Sequence, residues 1–376
     1  QVNFFEGIQS PQPFDLVNAS QYAQLINEGE IGEDDPAPYP DPESLGEGTD
    51  WFDEVTKVSS IRDYQASFSQ KTENSNYYVS FGLHNNPGIV DKSEFNRYTL
   101  RLNNQYGLTD NITIGHNLSF FSSQKENLSD NVFNWLYRVK PTVSVYDENG
   151  EFNDVGVDSN GNIVANIFYT NDETRTSGIL GNAFLNIDFF KNFTFRSSIG
   201  IDTYRSENTV FNPEYQVGQG VQRNDLSNLT KSWDKRENWL WENTVTYQNS
   251  FKDHNISLLA GYTSQENQYE MLGGRRNSLF SEEEYLWFLD AGSTEGLTNF
   301  NYATSNAIVS LLFRANYSYR GKYIFTGTLR SDSSSRFSEE NRTGTFPSVA
   351  AAWRVSDEPF LQDVDWLSNL KIRGSW

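Results

Sequence analysis

Hydrophobic and polar residues alternate along much of the chain with a period of two. In residues 307–319 the odd positions are apolar and end in two tyrosines, whereas the even positions are mostly polar and include Arg314. Successive side chains of a β-strand point to opposite faces, so this alternation predicts a strand with one apolar and one polar face. The pattern resumes at 323–332 after the short segment 320–322, which predicts a β-hairpin.

The same alternation recurs along the chain and predicts an all-β protein of about thirteen strands. Many of these strands are longer than the five or six residues typical of soluble sheets, and they are long enough to cross a bilayer at a tilt. The predicted strands are 2–9, 62–70, 76–85, 96–106, 112–125, 177–189, 193–206, 236–250, 254–267, 304–319, 323–332, 346–355 and 370–376.

The connections between these strands alternate in length. The short ones are 71–75, 107–111, 190–192, 251–253 and 320–322. The long ones are roughly 10–61, 126–176, 207–235 and 268–303, with shorter members near 86–95 and 333–345. This alternation is typical of a transmembrane antiparallel β-barrel with short periplasmic turns and long extracellular loops. The alternative is a large soluble all-β protein that buries one face of its sheet.

Composition favours the membrane interpretation. Aromatic residues make up 15% of the 376 residues, yet the mean hydropathy is only −0.64, as expected when strands face lipid on one side and a wet lumen on the other. The net charge of −21 argues against binding to nucleic acid and against docking on anionic lipid headgroups. Cysteine is absent, which excludes disulfides, thiolate metal sites and a cysteine nucleophile from this chain.

The long loops are expected to contain local structure. Three segments have helical character, each with a serine near its start as a candidate N-cap: 19–30 with Ser20, 129–139 with Ser129 and 281–292 with Ser281. Segment 33–44 is acidic and rich in proline, which predicts an extended surface stretch. Asn-Gly pairs at 149–150 and 160–161 predict turns, because the spacing of a calcium-binding loop around them is incomplete.

Three stretches resemble one family closely: 75–103, 327–360 and 367–376. They are similar to the SusC/RagA family of TonB-linked outer-membrane transporters of Bacteroidetes, and 4–27 looks like the first barrel strand and loop of that family. Ser333 stands where the family usually has glycine. The central stretch carries the family motif in Arg330, Asp332, Ser335, Arg336, Phe337, Phe346, Pro347, Ser348, Trp353 and Arg354.

This resemblance implies active import across the bacterial outer membrane. Its members have a barrel of about 22 strands with a plug inside, so residues 1–376 would form the N-terminal half of the wall, with the plug and the C-terminal strands outside this chain. The implied partners are a SusD-like surface lipoprotein, which captures a glycan or a peptide, and TonB, which engages a segment absent here. The resemblance implies no cofactor, no metal and no covalent chemistry.

Two sets of residues are candidates for function. Aromatic residues of the long loops are predicted to contact ligand, the alternative being that they pack the loops together: Trp51, Trp135, Tyr137, Trp233, Trp287 and Phe288. Charged residues on the polar strand faces are predicted to line the lumen or to form ion pairs there: Arg97, Arg101, Arg196, Glu242 and Arg314.

Two other functions stay open at this point. A passive porin of about 16 strands would suit a chain of this size. A barrel enzyme would need a clustered catalytic set, and the histidines His84, His116 and His254 are far apart in the sequence. The sequence leaves the choice between glycan and peptide substrates open.

Overall fold

The computed structural model describes residues 1–13, 15–29, 37–129, 131–156, 161–218, 222–361 and 366–376. Its main feature is an antiparallel sheet of 13 strands in which each strand pairs with its neighbours in sequence. A separate two-stranded ribbon, Tyr215–Gln216 with Arg223–Asn224, interrupts this order. The strands are β1 Val2–Gln9, β2 Ser59–Lys71, β3 Ser75–Pro87, β4 Glu94–Thr109, β5 Ile112–Glu126, β6 Asn171–Phe189, β7 Phe193–Asn212, β8 Tyr215–Gln216, β9 Arg223–Asn224, β10 Asn228–Phe251, β11 His254–Asn277, β12 Thr298–Tyr319, β13 Tyr323–Ser334, β14 Thr343–Arg354 and β15 Lys371–Ser375.

All thirteen predicted strands are present in this sheet, but several are longer than the alternation indicates. β10 begins at Asn228 instead of 236, and β11 ends at Asn277 instead of 267. The two strands stay in continuous register from Phe251↔His254 to Asn228↔Asn277. The added residues all lie at the long-loop end, where polar residues occupy both faces. Backbone pairing therefore continues there after the apolar alternation has ended.

The register places the apolar residues of neighbouring strands side by side on one face. Val245, Ala260, Phe313 and Leu329 form one such row across β10 to β13. Phe313 is 52% exposed and Leu329 is 45% exposed. A soluble protein buries an apolar face of this extent, whereas a membrane barrel turns it to lipid. The soluble all-β alternative is therefore wrong for this face.

The connections are segregated by length, as predicted, with one exception. The short turns 190–192, 252–253 and 320–322 lie at the same end of the sheet, and the long loops lie at the other end. The exception is 355–370 between β14 and β15, which lies at the short-turn end and begins with 3₁₀ turns at Val355–Asp357 and Pro359–Leu361. Within the described residues, β1 and β15 each pair with a neighbour on one side only.

In the loop residues that the structure describes there are four short α-helices: α1 Ala19–Gly29, α2 Trp51–Val55, α3 Val132–Leu136 and α4 Ile163–Tyr169. None of the helices in the described ranges is long and apolar enough to cross a membrane. Further 3₁₀ turns are Pro42–Leu45, Glu284–Leu286, Leu289–Ala291 and Glu339–Asn341.

The predicted helix caps are corrected by the structure. Asn18, not Ser20, precedes α1, and its Oδ1 accepts a hydrogen bond from the backbone N–H of Gln21 at 2.9 Å. The side chain of Gln21 accepts from the N–H of Asn18 in return at 3.1 Å, which completes a capping box. Asn131, not Ser129, precedes α3 and makes no side-chain cap bond.

Segment 281–292 forms two 3₁₀ turns instead of the predicted helix. Trp287 and Leu289, two positions apart, both pack on a cluster at the end of the sheet, which a helical spacing does not allow. The predicted turn at 147–151 is present, because the carboxylate of Asp147 accepts backbone N–H groups from Asn149 and Glu151. The predicted extended stretch 33–44 and the predicted turn at 160–161 fall partly outside the described residues, because 33–36 and 158–160 are not among them.

Candidate functional site

The main buried core of the molecule lies in the loops. We call the described residues of 15–58 and 131–169 the loop module, because Trp51, Phe52 and Val55 of the first range share a core with Val90 and with side chains of the second range. Asn162 is fully buried in it and caps α4 by accepting from the N–H of Ala165 at 3.2 Å. Its amide also donates to the carbonyl of Val145 at 2.8 Å. The loop module is therefore a folded unit held at the long-loop end of the sheet.

A cavity of 390 Å³ opens in the loop module. Aromatic rings and charges of both signs line it, a chemistry that suits the apolar faces of sugars as well as peptide side chains. The Asp50 carboxylate is already engaged, because it accepts from the N–H groups of Phe52 and Asp53 at the start of α2. The principal lining residues are Tyr22, Glu47, Asp50, Trp51, Tyr137 and Arg138.

Three of the six predicted ligand contacts meet in the loop module. Trp51 is only 3% exposed, and its Nε1 donates to the carbonyl of Lys140 at 3.0 Å, so the structure supports a packing role for it. Trp135 packs against the same core. Tyr137 lines the cavity and is 37% exposed. Of this group, Tyr137 is the residue whose side chain is most accessible to a ligand.

The other three lie beside the long-loop ends of β7, β10 and β11. The ring of Trp287 stacks on the buried Phe211, with centroids 4.4 Å apart. Trp233 is covered by the guanidinium of Arg205 at 5.4 Å. Phe288 is 61% exposed. The six aromatic residues therefore form two groups, and within each group one ring, Tyr137 or Phe288, stays accessible while the others pack.

A cluster of five rings that the sequence analysis missed lies on the long loops. Tyr146 stacks on Phe152, which also contacts Phe168 and Tyr169. Tyr169 stacks face to face on Tyr215, with centroids 4.1 Å apart. We call these five residues the aromatic cluster. Phe168 is 58% exposed and Tyr146 is 49% exposed, so the cluster presents two rings to solvent.

Lys92 fixes the aromatic cluster to the end of the sheet. Its ammonium donates to the carbonyls of Phe168 and Thr170 at 2.5 and 2.9 Å and to Oδ1 of Asn171 at 3.1 Å. Desolvation lowers the pKa of Lys92, and Glu126 opposes that shift. No local pattern joins these residues, because the contacts span more than seventy positions of sequence.

On the polar face of the sheet, the predicted lumen residues contact rings and amides. The guanidinium of Arg97 lies 4.6 Å from the ring of Phe121, and that of Arg196 lies 4.2 Å from the ring of Phe184. By register Arg101, Glu242 and Arg314 lie on the face opposite the apolar rows. Within the described ranges, the ion pairs involve none of these five residues, so the predicted ion pairing is not observed there.

The family motif holds the last hairpins together. The Nε of Arg330 donates to both oxygens of Asp332 at 2.7 and 2.9 Å, and its Nη2 donates to the buried Ser310 at 3.3 Å. Ser335 Oγ accepts from the N–H of Ala307 at 2.8 Å, which fastens the β13–β14 loop to β12. The remaining motif residues follow along the same loop and β14: Arg336, Phe337, Phe346, Pro347, Ser348, Trp353 and Arg354.

The three histidines each pair with a neighbouring strand. Nδ1 of His84 lies 2.8 Å from the carboxylate of Asp63, and Nδ1 of His254 lies 2.7 Å from the hydroxyl of Tyr317. His116 contacts the amide of Asn104 on the adjacent strand at 3.0 Å. Across the part of the chain that the structure describes, His, Asp and Glu side chains form no group of three that could hold a metal ion.

The amino-acid sequence is similar to that of receptors of one type. The chain is 31% identical over 342 residues to TonB-dependent receptor P3 of Formosa agariphila, covering 87% of this chain and 34% of that protein. It is 27% identical over 368 residues to TonB-dependent receptor SusC of Bacteroides thetaiotaomicron, covering 89% of this chain and 35% of that protein. The chain thus spans about a third of the length of these relatives. No family model matches it.

The fold has a counterpart among solved structures. The RagAB peptide transporter superposes on 100% of this chain and 46% of its own chain, with a TM-score of 0.85 and 19% sequence identity. The same arrangement of thirteen antiparallel strands is therefore part of a known transporter fold.

Proposed function

The chain belongs to the SusC/RagA type of TonB-dependent receptors, and on that premise we propose that it forms part of the wall of an outer-membrane importer. The observation that carries the proposal is the pair of sheet edges. Within the described residues β1 and β15 are each paired on one side only. In lipid, every unpaired backbone group costs several kcal/mol, so further strands close this sheet into a barrel.

The long-loop end is the face that meets the substrate and a SusD-like lipoprotein. Two features support this. The loop module has its own core and carries a cavity of mixed polarity, and the aromatic cluster and Phe288 expose large rings at the same end of the sheet. Exposed aromatic residues around a rigid base are typical of binding surfaces. The cargo is an oligosaccharide or a peptide, and both have apolar faces that the cavity accommodates.

The work of such an importer is conformational. The lipoprotein captures the substrate at the long loops and closes over the barrel, and TonB then pulls on a plug inside the lumen. The residues described here contribute a rigid wall and a docking surface, and transport proceeds by opening, capture, closure and release.

The proposal is tested on the full-length protein extracted from its native outer membrane in mild detergent. We expect intact-mass measurement to give a chain at least twice as long as these 376 residues, together with a co-purifying lipoprotein. A chain of this length alone, forming trimers that conduct ions without a lipoprotein, would overturn the proposal in favour of a passive porin.

A further inference from the structure

A groove of 830 Å³ runs across the apolar face of β10 to β14. Its walls are almost entirely apolar, and most of its lining residues lie on the apolar face of the sheet by register. Its floor is made of small residues, Ala260, Ala315 and Gly327. A methyl group added to Gly327 would meet nothing within 4 Å, so the floor is open to the surroundings. The walls include Phe193, Val245, Tyr247, Leu258, Phe313 and Leu329.

The register explains why the groove forms at this place. Tyr247, Leu258, Ala315, Gly327 and Val349 lie in one transverse row across five strands. The two smallest residues of the row are adjacent, and larger side chains stand on either side of them. The sheet is continuous beneath, so the depression comes from side-chain size alone.

The short turns below the groove carry an unusual concentration of positive charge. In three of them an aromatic residue is followed directly by a cation: Phe190-Lys191, Phe251-Lys252 and Tyr319-Arg320. These turns are two strands apart, which corresponds to about 10 Å along the rim. The turns 72–74 and 110–111, outside the sector of the groove, each contain an acidic residue and no basic one.

Two of these cations are free to bind an anion. Arg320 donates to the carboxylate of Asp253 at 2.7 Å and is partly neutralised. Lys191 and Lys252 have no carboxylate within 4.0 Å among the described side chains. The neighbouring rings are exposed, with Phe190 at 82% and Phe251 at 48%, as expected for aromatic residues at a membrane interface.

We propose that the groove and this basic rim together bind an anionic glycerophospholipid, with acyl chains in the groove and the phosphate at Lys191 and Lys252. The inference rests on the proposed position of the sheet in a bilayer. Phe193 lines the groove and lies two residues from Lys191, which is about 7 Å of strand rise. A phosphate at the rim is therefore continuous with chains in the groove.

Charge complementarity selects the anionic lipid over a neutral one. The chain as a whole has a net charge of −21, which by itself predicts repulsion of anionic headgroups. The rim reverses this locally, because basic residues close to a membrane surface attract anionic lipid. An apolar groove alone would accept the acyl chains of either lipid without preference.

The test is native mass spectrometry of the full-length, delipidated protein after addition of dioleoyl phosphatidylglycerol and dioleoyl phosphatidylethanolamine in equal amounts. We expect the wild-type protein to retain phosphatidylglycerol over phosphatidylethanolamine by about 30-fold, since two lysines contribute to the preference. The double variant Lys191→Gln, Lys252→Gln is expected to retain both lipids equally, because its phosphatidylglycerol retention falls to the level of phosphatidylethanolamine.

Gly327→Phe fills the groove and is expected to reduce retention of both lipids. Gly374→Phe is its matched control, because Gly374 lies on the same face of β15, outside the groove, and also has open space at its Cβ. Altered migration on unheated gels reports whether each variant is folded, and the lysine variant tests the rim if Gly327→Phe does not fold.

Equal retention of the two lipids by the wild-type protein would overturn the proposal, and so would equal retention by the two glycine variants. A protein that co-purifies with a lipoprotein but shows no lipid preference would contradict the lipid-binding proposal and leave the proposed function intact. A chain of this length alone that purifies without a lipoprotein would instead contradict the proposed function.

Discussion

The indole Nε1 of Trp353 donates a hydrogen bond to Oε1 of Glu358 at 3.0 Å. The hydroxyl of Tyr323 donates to the same oxygen at 2.7 Å, and Nζ of Lys322 lies 3.4 Å from Oε2. These bonds tie the start of the 355–370 connection to the β12–β13 turn. The bond from Tyr323 is the main reason that the pKa of Glu358 lies below its ordinary value, with Trp353 the second.

This pKa shift predicts acid-sensitive stability. Because the pKa of Glu358 is lower in the folded protein than in the unfolded chain, its stabilisation is complete above the ordinary carboxyl pKa of 4.5 and is lost as the pH falls through the folded value. Glu358→Gln should therefore lower the melting temperature at pH 7, and the gap to wild type should close in acid. Thermal unfolding of both proteins at several pH values measures this difference in melting temperature.

Glu339→Gln is the control for this experiment, because Glu339 is an exposed carboxylate in a surface 3₁₀ turn. Its melting temperature should follow that of the wild type at every pH. A gap for Glu358→Gln that stays constant down to pH 3 would show that the hydrogen bonds do not depend on the charge.

Trp287 and Phe288 are adjacent but should respond differently to truncation. Trp287 anchors its loop on Phe211, whereas Phe288 is mostly exposed. Trp287→Ala is expected to destabilise the loop against local opening by about 2–3 kcal/mol. Hydrogen exchange should then show lost amide protection over 279–292, and Phe288→Ala should leave that protection unchanged. Equal loss in both variants would contradict the packing described here.

Phe168 offers a test of the docking surface. Phe168→Ala removes an exposed ring of the aromatic cluster and should weaken binding of the lipoprotein about 30-fold, the effect of losing an aromatic hot spot. Phe190→Ala is the control, since Phe190 is even more exposed than Phe168 but lies at the short-turn end. Affinity is measured on the full-length protein with purified lipoprotein. If only Phe190→Ala weakened binding, the docking face would be the opposite one.

The absence of cysteine in this chain allows its orientation to be measured directly. Glu283→Cys lies in a long loop and Lys252→Cys lies in a short turn, and both positions are exposed. A membrane-impermeant maleimide added to intact cells should label the first variant strongly and the second only after the outer membrane is disrupted. The reverse result would place the long loops in the periplasm.

Much of the fold is determined by local sequence. The alternation at 307–319 fixes both the strand and its two faces, because a period of two has only one geometric solution in an extended chain. The short turns follow from the breaks between alternating segments, such as 320–322. The family motif from Arg330 to Arg354 identifies the type of receptor without any structure.

The tertiary structure alone determines the contacts between residues that are far apart in the chain. The extension of β10 to Asn228 depends on pairing with β7 and β11, since lysines such as Lys231 interrupt its apolar face there. Likewise Trp51 is a residue type that often contacts ligands, and only the packing of distant loops shows that it is buried. The groove at Gly327 exists because five strands align small and large side chains in one row, and no single strand encodes that alignment.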